Sequence, residues 1–431
     1  MSALSRPTFL GRVVAGCALV LAGSLAAPTS APGVTVGSDG KAIRNKAGVE
    51  FGIAAHRGGM GEWPQNSLEA FTNTIAAGFD SLETDVVFTS DGHAVMSHED
   101  ALASRCLQTG QSGLAIHKMT LEQVQQVRCA NLAGEKVVPI PTFDQLAAAL
   151  QGHPEILLSL EVKSYSGQSA AGKKDWAKRA VELVKRHQLQ NQTKLISFNW
   201  EYALPVFRKY LPKIRVIALD KDPLDLDRVR LAKKLGASAY GTRVKYTSVY
   251  LVQYVKSLGL DSSPWSASGN EQRAFQIYHA NKSGFMFGTD TPTATQADLV
   301  AGRIDLDPVP TMVTTTLPSP LTISSITYKA GHKYYKAVST KAIPSADLAM
   351  LGDVTLKITV KGGTGKGALY VGPASSPSAR SVKVALPKGT KTLTVRSPLG
   401  DNRKLRISTT KKVKLTVQVA GYQRMRFPSA G

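Results

Sequence analysis

Between about residue 50 and residue 292, short β-branched runs alternate with segments of helical periodicity. That pattern belongs to a parallel sheet with crossover helices. In the first unit Gly52–His56 reads as a strand and Arg57–Gln65 as a Gly- and Pro-containing loop. Asn66-Ser67-Leu68-Glu69 reads as a helix start with Asn66 as N-cap, and Gly78 stops that helix. Further strands are predicted at Ser81–Phe88, Ile156–Val162, Lys194–Phe198, Ile214–Leu219, Ser238–Gly241 and Phe285–Gly288, with a weaker one ending near Trp265. Eight strands in about 250 residues predict a (β/α)8 TIM barrel rather than an open doubly wound sheet.

After Asp307 the helical periodicity disappears. Pro308-Val309-Pro310 and Leu317-Pro318-Ser319-Pro320 read as a Pro-rich linker. Beyond it, Thr355–Val360, Ala368–Val371, Ser381–Ala385, Thr392–Arg396, Leu405–Ser408 and Val413–Val419 alternate as short strands of a small antiparallel β-sandwich. The chain begins with Arg6 and Arg12, an apolar run from Val13 to Ala27, then small residues and prolines, the order of a secretory signal. The run is shorter than the roughly 20 residues that span a bilayer. The expected organisation is a signal peptide at 1–31, a barrel at 47–305, a linker at 306–322 and a basic β-sandwich module at 323–431.

Charge sharpens this division. The chain of 431 residues carries a formal +22, but the excess is local. Residues 308–431 hold 20 Lys/Arg against three acids, whereas 34–307 are close to balance with 31 basic and 28 acidic residues. A near-neutral barrel bearing a cationic appendage excludes a uniformly basic nucleic-acid-binding globule and predicts a polyanionic partner for the module: an anionic wall polymer such as teichoic acid, an anionic membrane surface, or extracellular nucleic acid. Aromatics are sparse there, and no sequence-specific nucleic-acid recognition is expected. Removal of the leader discards Cys17 and leaves Cys106 and Cys129, which export would join in one disulfide. A secreted, bacterial, monomeric protein, extracellular or associated with the cell wall, is the expectation.

The polar residues His56, Glu83, Asp85, Glu161, Lys163, Ser197 and Asp290 lie in or just past the later halves of their strands, the rim where barrels place their active sites. Glu83 and Asp85 are two apart, as are Glu161 and Lys163, so each pair shares a strand face. Three carboxylates meeting in a barrel mouth repel one another unless a hard divalent cation, Ca2+ or Mg2+, neutralises them. His56 and His98 can divide acid and base work, Arg57 and Lys163 suit a phosphate, and Gly58 and Gly59 would let backbone approach a substrate. This set points to phosphodiester cleavage.

His56-Arg57-Gly58, Pro64-Gln65-Asn66-Ser67, Leu82-Glu83-Thr84-Asp85-Val86, Thr89-Ser90-Asp91-Gly92, His98, Glu161-Val162-Lys163, Ser197-Phe198, Trp265 and Gly288-Thr289-Asp290-Thr291-Pro292 resemble, in order and spacing, the glycerophosphodiester phosphodiesterases. The resemblance implies a metal held by Glu83, Asp85 and Glu161, His56 and His98 as general base and acid in either order, and Arg57 and Lys163 on the phosphate. It implies release of an alcohol and sn-glycerol 3-phosphate; with the basic module on an exported enzyme of this kind, a glycerol-phosphate wall polymer would be an anchor and a candidate substrate at once. Ser197, Phe198 and Trp265 are candidates for the substrate pocket, the two aromatics being equally suited to core packing. Gln65 stands where the family usually has Glu, and an insert holding both cysteines follows His98. The rival readings are a secreted phospholipase D-type enzyme acting on lysolipids or sphingolipids, and a non-catalytic surface protein that binds polyanions.

Overall fold

The structure, a computed structural model, describes residues 35–102, 106, 114–130, 136–221, 225–328, 333–337, 343, 350–373, 381–399 and 404–427. The expected signal peptide lies outside the described residues. No described helix is long and apolar enough to cross a membrane.

The barrel half contains β1 (Phe51–Ala55), β2 (Ser81–Phe88), the short β3 (Ala94–Met96), β4 (Arg128–Ala130) and β5 (Val137–Pro139), then β6 (Leu157–Val162), β7 (Thr193–Ser197), β8 (Arg215–Asp220), β9 (Ala239–Thr242), β10 (Asp261–Ser262) and β11 (Phe285–Thr289). Eight of them form a curled parallel path in the order β10-β9-β8-β7-β6-β2-β1-β11, with β3 antiparallel on β2 and a separate β4–β5 hairpin. With helices packed outside, this is a TIM barrel. The helix-to-sheet layer is filled by Leu82, Val86, Leu158, Leu160, Leu195 and Val216 against Phe71, Trp176, Ala180, Leu204 and Phe207.

The register explains where the polar residues go. Paired residues of parallel strands point to the same side, and residues two apart share a face. Glu83 pairs with Ser159 and Ser159 with Lys194; Asp85 pairs with Glu161, Glu161 with Ile196, Ile196 with Ile217 and Ile217 with Ala239. The barrel interior is therefore layered. A row containing Glu83 is followed, toward the strand C-termini, by a row in which Asp85 and Glu161 stand beside apolar Ile196, Ile217 and Ala239.

The first helix, α1 (Leu68–Ala76), begins one residue later than the sequence predicts. Ser67 is the N-cap, its hydroxyl accepting the Ala70 N–H at 3.0 Å. Asn66 instead adopts a left-handed φ of 52° and turns its amide into the barrel. Gly58 and Gly59 also differ from their expected part. A Cβ on Gly58 would stand 2.7 Å from that of Ala70, and one on Gly59 would stand 2.9 Å from Trp63 and Pro292. They make room for neighbouring protein rather than for a substrate.

The C-terminal part holds β12 (Thr311–Tyr328), β13 (Lys333–Ala337), β14 (Leu351–Thr364), β15 (Ala368–Pro373), β16 (Val382–Ala385), β17 (Lys388–Pro398), β18 (Lys404–Thr409) and β19 (Val413–Arg426). They form two antiparallel sheets, ordered β12-β19-β14-β17 and β13-β18-β15-β16. Their inner faces meet in one apolar core of Leu356, Ile358, Leu369, Val371, Ile407 and Val417 among others. The predicted linker at 306–322 is a correction: from Thr311 onward it is strand. Pro318 and Pro320 fall inside the register break between Thr316 and Leu321, on an edge strand, where a missing N–H removes no ladder bond.

The module packs on the barrel. Met350, Met425 and Phe427 join Val244, Val252 and Phe275 in one buried cluster. Arg424 donates to both oxygens of Glu271 at 3.1 Å, and the Met350 N–H reaches the Thr247 carbonyl at 3.1 Å.

Candidate active site

His56 begins the turn that follows β1, and Arg57 inside that turn holds φ at +51°. This sparsely populated backbone points the Arg57 N–H at Glu83 Oε2, 2.8 Å away, and swings the guanidinium to Gln65 Oε1 at 2.8 Å and Asp85 Oδ2 at 3.7 Å. His56 Nδ1 lies 2.6 Å from Asp290 Oδ1, and its Nε2 is 3.9 Å from Glu83 Oε2. The register accounts for that contact, since Ala54 pairs with both Ser81 and Gly288 and two residues on come His56, Glu83 and Asp290.

Glu83, Asp85 and Glu161 each offer an oxygen within 4.8 Å of the others. Asp85 is 1% exposed and receives the Asn66 amide at 3.0 Å, while Asn66 accepts from the Thr84 hydroxyl at 2.8 Å. Lys163 Nζ lies between two of the three acids, 2.8 Å from Glu161 Oε1 and 3.0 Å from Asp85 Oδ1. Its ammonium thus rests on carboxylates rather than standing free for a phosphate. His98 reaches the rim after β3, with Nδ1 on the carboxylate of Glu99.

The electrostatics follow from burial and crowding. Burial and the adjacent Asp85 raise the Glu83 carboxyl above its ordinary range. Burial pushes Glu161 up to about 7 against the pull of Lys163, with Asp85 adding to the rise. For Asp85 burial opposes the charge, but Lys163, His98 and Arg57 outweigh it and hold the carboxyl low. Burial and the Lys163 ammonium lower His98 to about 4. Burial also works against a charged His56, yet the Asp290 hydrogen bond and Glu83 prevail, and its pKa is raised. Two buried acids with raised pKa values beside a third held low form the donor set of a hard divalent cation, which relieves the repulsion.

The structure thus brings together His56, His98, Arg57, Glu83, Asp85, Glu161 and Lys163. Phe198 and Trp265 meet edge to face at 5.2 Å and pack on Ile196, Ile217 and Leu219, on the strands that follow β6. Ser197 is a correction: it is 1% exposed, faces away from that row, and accepts the Asn199 N–H at 2.9 Å, bracing the turn. Cys106 and Cys129 are joined by a disulfide.

The sequence assigns Asn66 only a helix cap and Asp290 only a place on the rim, whereas in the structure they hold Asp85 and His56. Sequence reading also passed over His117, whose ring stacks on Tyr165 at 3.8 Å while its Nδ1 lies 2.7 Å from Asp100 Oδ2. That stack ties the insert to the loop after Lys163. A histidine isolated in an insert carries no signal that would reveal such a partner.

Residues 56–284, more than half of the chain, match the glycerophosphoryl diester phosphodiesterase family. The chain belongs to this family. It is 26% identical over 227 residues to a glycerophosphodiester phosphodiesterase of Caldanaerobacter subterraneus, covering 51% of this chain and 86% of the relative. A glycerophosphodiester phosphodiesterase of Bacillus altitudinis is 26% identical over 203 residues, 46% of this chain and 77% of the relative. A solved structure from Silicibacter pomeroyi, of a protein named provisionally for the same phosphodiesterase family, superposes with a TM-score of 0.52 at 23% identity. It covers 60% of this chain and 96% of that one, and shows the shared fold. Family members bind a divalent metal, and the acidic ring of Glu83, Asp85 and Glu161 is where this phosphodiesterase would hold one.

Proposed function

We propose that the protein is an exported, metal-dependent enzyme that hydrolyses glycerophosphodiesters to an alcohol and sn-glycerol 3-phosphate. The observation that carries this reading is the acidic ring with His56, His98 and Arg57 on one rim. Glu83, Asp85 and Glu161 would hold Ca2+ or Mg2+, which supplies Lewis-acid stabilisation of charge on a phosphoryl oxygen. Arg57, positioned by Gln65 and Asp85, is the bidentate donor for a phosphate. Asp290 and Glu83 favour the charged form of His56 over the opposition of burial, whereas burial and Lys163 lower His98 to about 4. One imidazole is thus poised to give a proton to a leaving alkoxide and the other to take one from a nucleophilic hydroxyl.

The module would hold the enzyme at a polyanionic surface, a glycerol-phosphate polymer in particular. The outer face of its β12-containing sheet is polar and cationic: Thr355, Lys357, Thr359 and Lys361 on β14, with Lys414 opposite Lys361. Hydroxyls fill the rows between, as in the Thr359–Thr392 contact at 2.9 Å and the Ser325–Thr416 contact at 3.1 Å. Asp353 is the one acid of the module among the described residues. Such a face attracts phosphate chains by charge.

The test is release of glycerol 3-phosphate from glycerophosphocholine by the purified protein. Release that chelator stops and Ca2+ or Mg2+ restores is the expected result. Absence of release, with a cyclic phosphate formed from a lysolipid instead, would replace this reading with the phospholipase D type.

A further inference from the structure

The upper layers of the barrel mouth carry a second cationic site. Lys163, Phe198, Lys221 and Arg243 are the first residues beyond β6, β7, β8 and β9, each two positions after an inward-facing residue. Continuing the register, Phe198 stands beside Lys163, and Lys221 and Arg243 share the next row up, where Arg243 pairs with Trp265. Two rows above Glu161 is about 13 Å along the strands, a span the long Lys and Arg side chains shorten.

The cations lie on the aromatics. The Lys221 ammonium sits 5.1 Å from the Phe198 ring centroid, and the Arg243 guanidinium 5.0 Å from that of Trp265. Arg243 Nε and Trp265 Nε1 are both buried without a hydrogen-bond partner, which is costly for a merely structural pair. Among the described residues no carboxylate within ion-pair distance neutralises either cation. Quaternary ammonium groups are recognised by bare aromatic faces. Here those faces are already taken by fixed positive charge, and a choline headgroup would meet repulsion.

Resting on the phosphodiesterase reading, we infer that Lys221 and Arg243 form a subsite for a second negative group of the substrate. The preferred substrates are then glycerophosphodiesters whose alcohol carries a further phosphate, as in a short glycerol-phosphate oligomer, rather than those ending in choline.

The experiment compares kcat/KM for glycerophosphocholine and for a synthetic glycerol-phosphate oligomer, in wild type, Lys221→Gln, Arg243→Gln, the double variant and Arg243→Lys. Wild type should favour the oligomer at least tenfold, and the double variant should lower that ratio about tenfold, mainly through KM. Arg243→Lys should keep most of it, and added salt should erode it. Lys221→Gln alters an exposed residue outside the strands, so its folding is not at issue. Equal losses on both substrates, or a wild-type preference for glycerophosphocholine, would overturn the subsite while leaving the diesterase intact. Should wild type cleave neither substrate, the diesterase reading fails. Calorimetric binding of the oligomer then still decides the subsite: about tenfold weaker binding by the double variant supports it, and equal binding refutes it.

Discussion

Arg57 pays for a left-handed backbone with a hydrogen bond to Glu83 and a guanidinium seated between Gln65 and Asp85. The charged candidates were legible in the sequence because they sit two apart on strands or directly after a strand end. Their supports were not. Asn66 reads as an N-cap by residue type, yet its amide is worth more on the buried Asp85 than on a helix end that Ser67 can cap. Asp290 lies 234 residues from His56, and only closure of the strand path from β1 to β11 makes them partners. Because Asp290 and Glu83 raise the His56 pKa, the imidazole keeps its proton to higher pH than usual. Asp290→Asn should therefore lower the His56 pKa and move its limb of the pH–kcat/KM profile to lower pH, as read by NMR titration of the ring. A His56 titration that does not move would show that Asp290 is not its partner. His98→Ala should cost about 10²–10⁴ in kcat without lowering the melting temperature appreciably.

The barrel strands were readable within a residue or so at each end, since fully buried parallel strands are short β-branched runs between turn signals. The weak strand near Trp265 appears only as β10, two residues long. It runs beside Gly241, whose added Cβ would fall 1.7 Å from the Ser263 carbonyl oxygen. Gly241→Ala is expected to destabilise the barrel by about 3 kcal/mol, measured by denaturant unfolding, because backbone must move. In the module, β12 was hidden by its prolines, which residue statistics assign to a linker and which the edge position tolerates. The insert after His98 is anchored by the Cys106–Cys129 disulfide, by the backbone bonds that join Leu102 to Leu114 and Ile116 to Asp100, and by the His117–Tyr165 stack. Replacing both cysteines by Ser should cost about 3 kcal/mol in the chain-entropy account, again by denaturant unfolding.

Barrel and module were separable in the sequence by charge, but nothing in that separation revealed how they meet. A free-standing appendage would be removable without consequence. The structure instead buries Val244, Val252 and Phe275 under Met350, Met425 and Phe427, and pairs Glu271 with a nearly buried Arg424. Truncation after Asp307 should thus lower the barrel's melting temperature as well as its retention on anionic surfaces; an unchanged melting temperature would argue against the shared core. The claim on which the whole account turns is that the acidic ring in the barrel mouth carries the chemistry. The most direct measurement is chelator-sensitive glycerol 3-phosphate release by Glu161→Gln, beside wild type, with circular dichroism melting of both. The buried Glu161 carboxyl has its pKa near 7, so the neutral amide should leave the melting temperature within a few degrees while metal-dependent turnover falls by a factor of about 10³. Turnover at the wild-type rate in a folded Glu161→Gln protein would contradict the account.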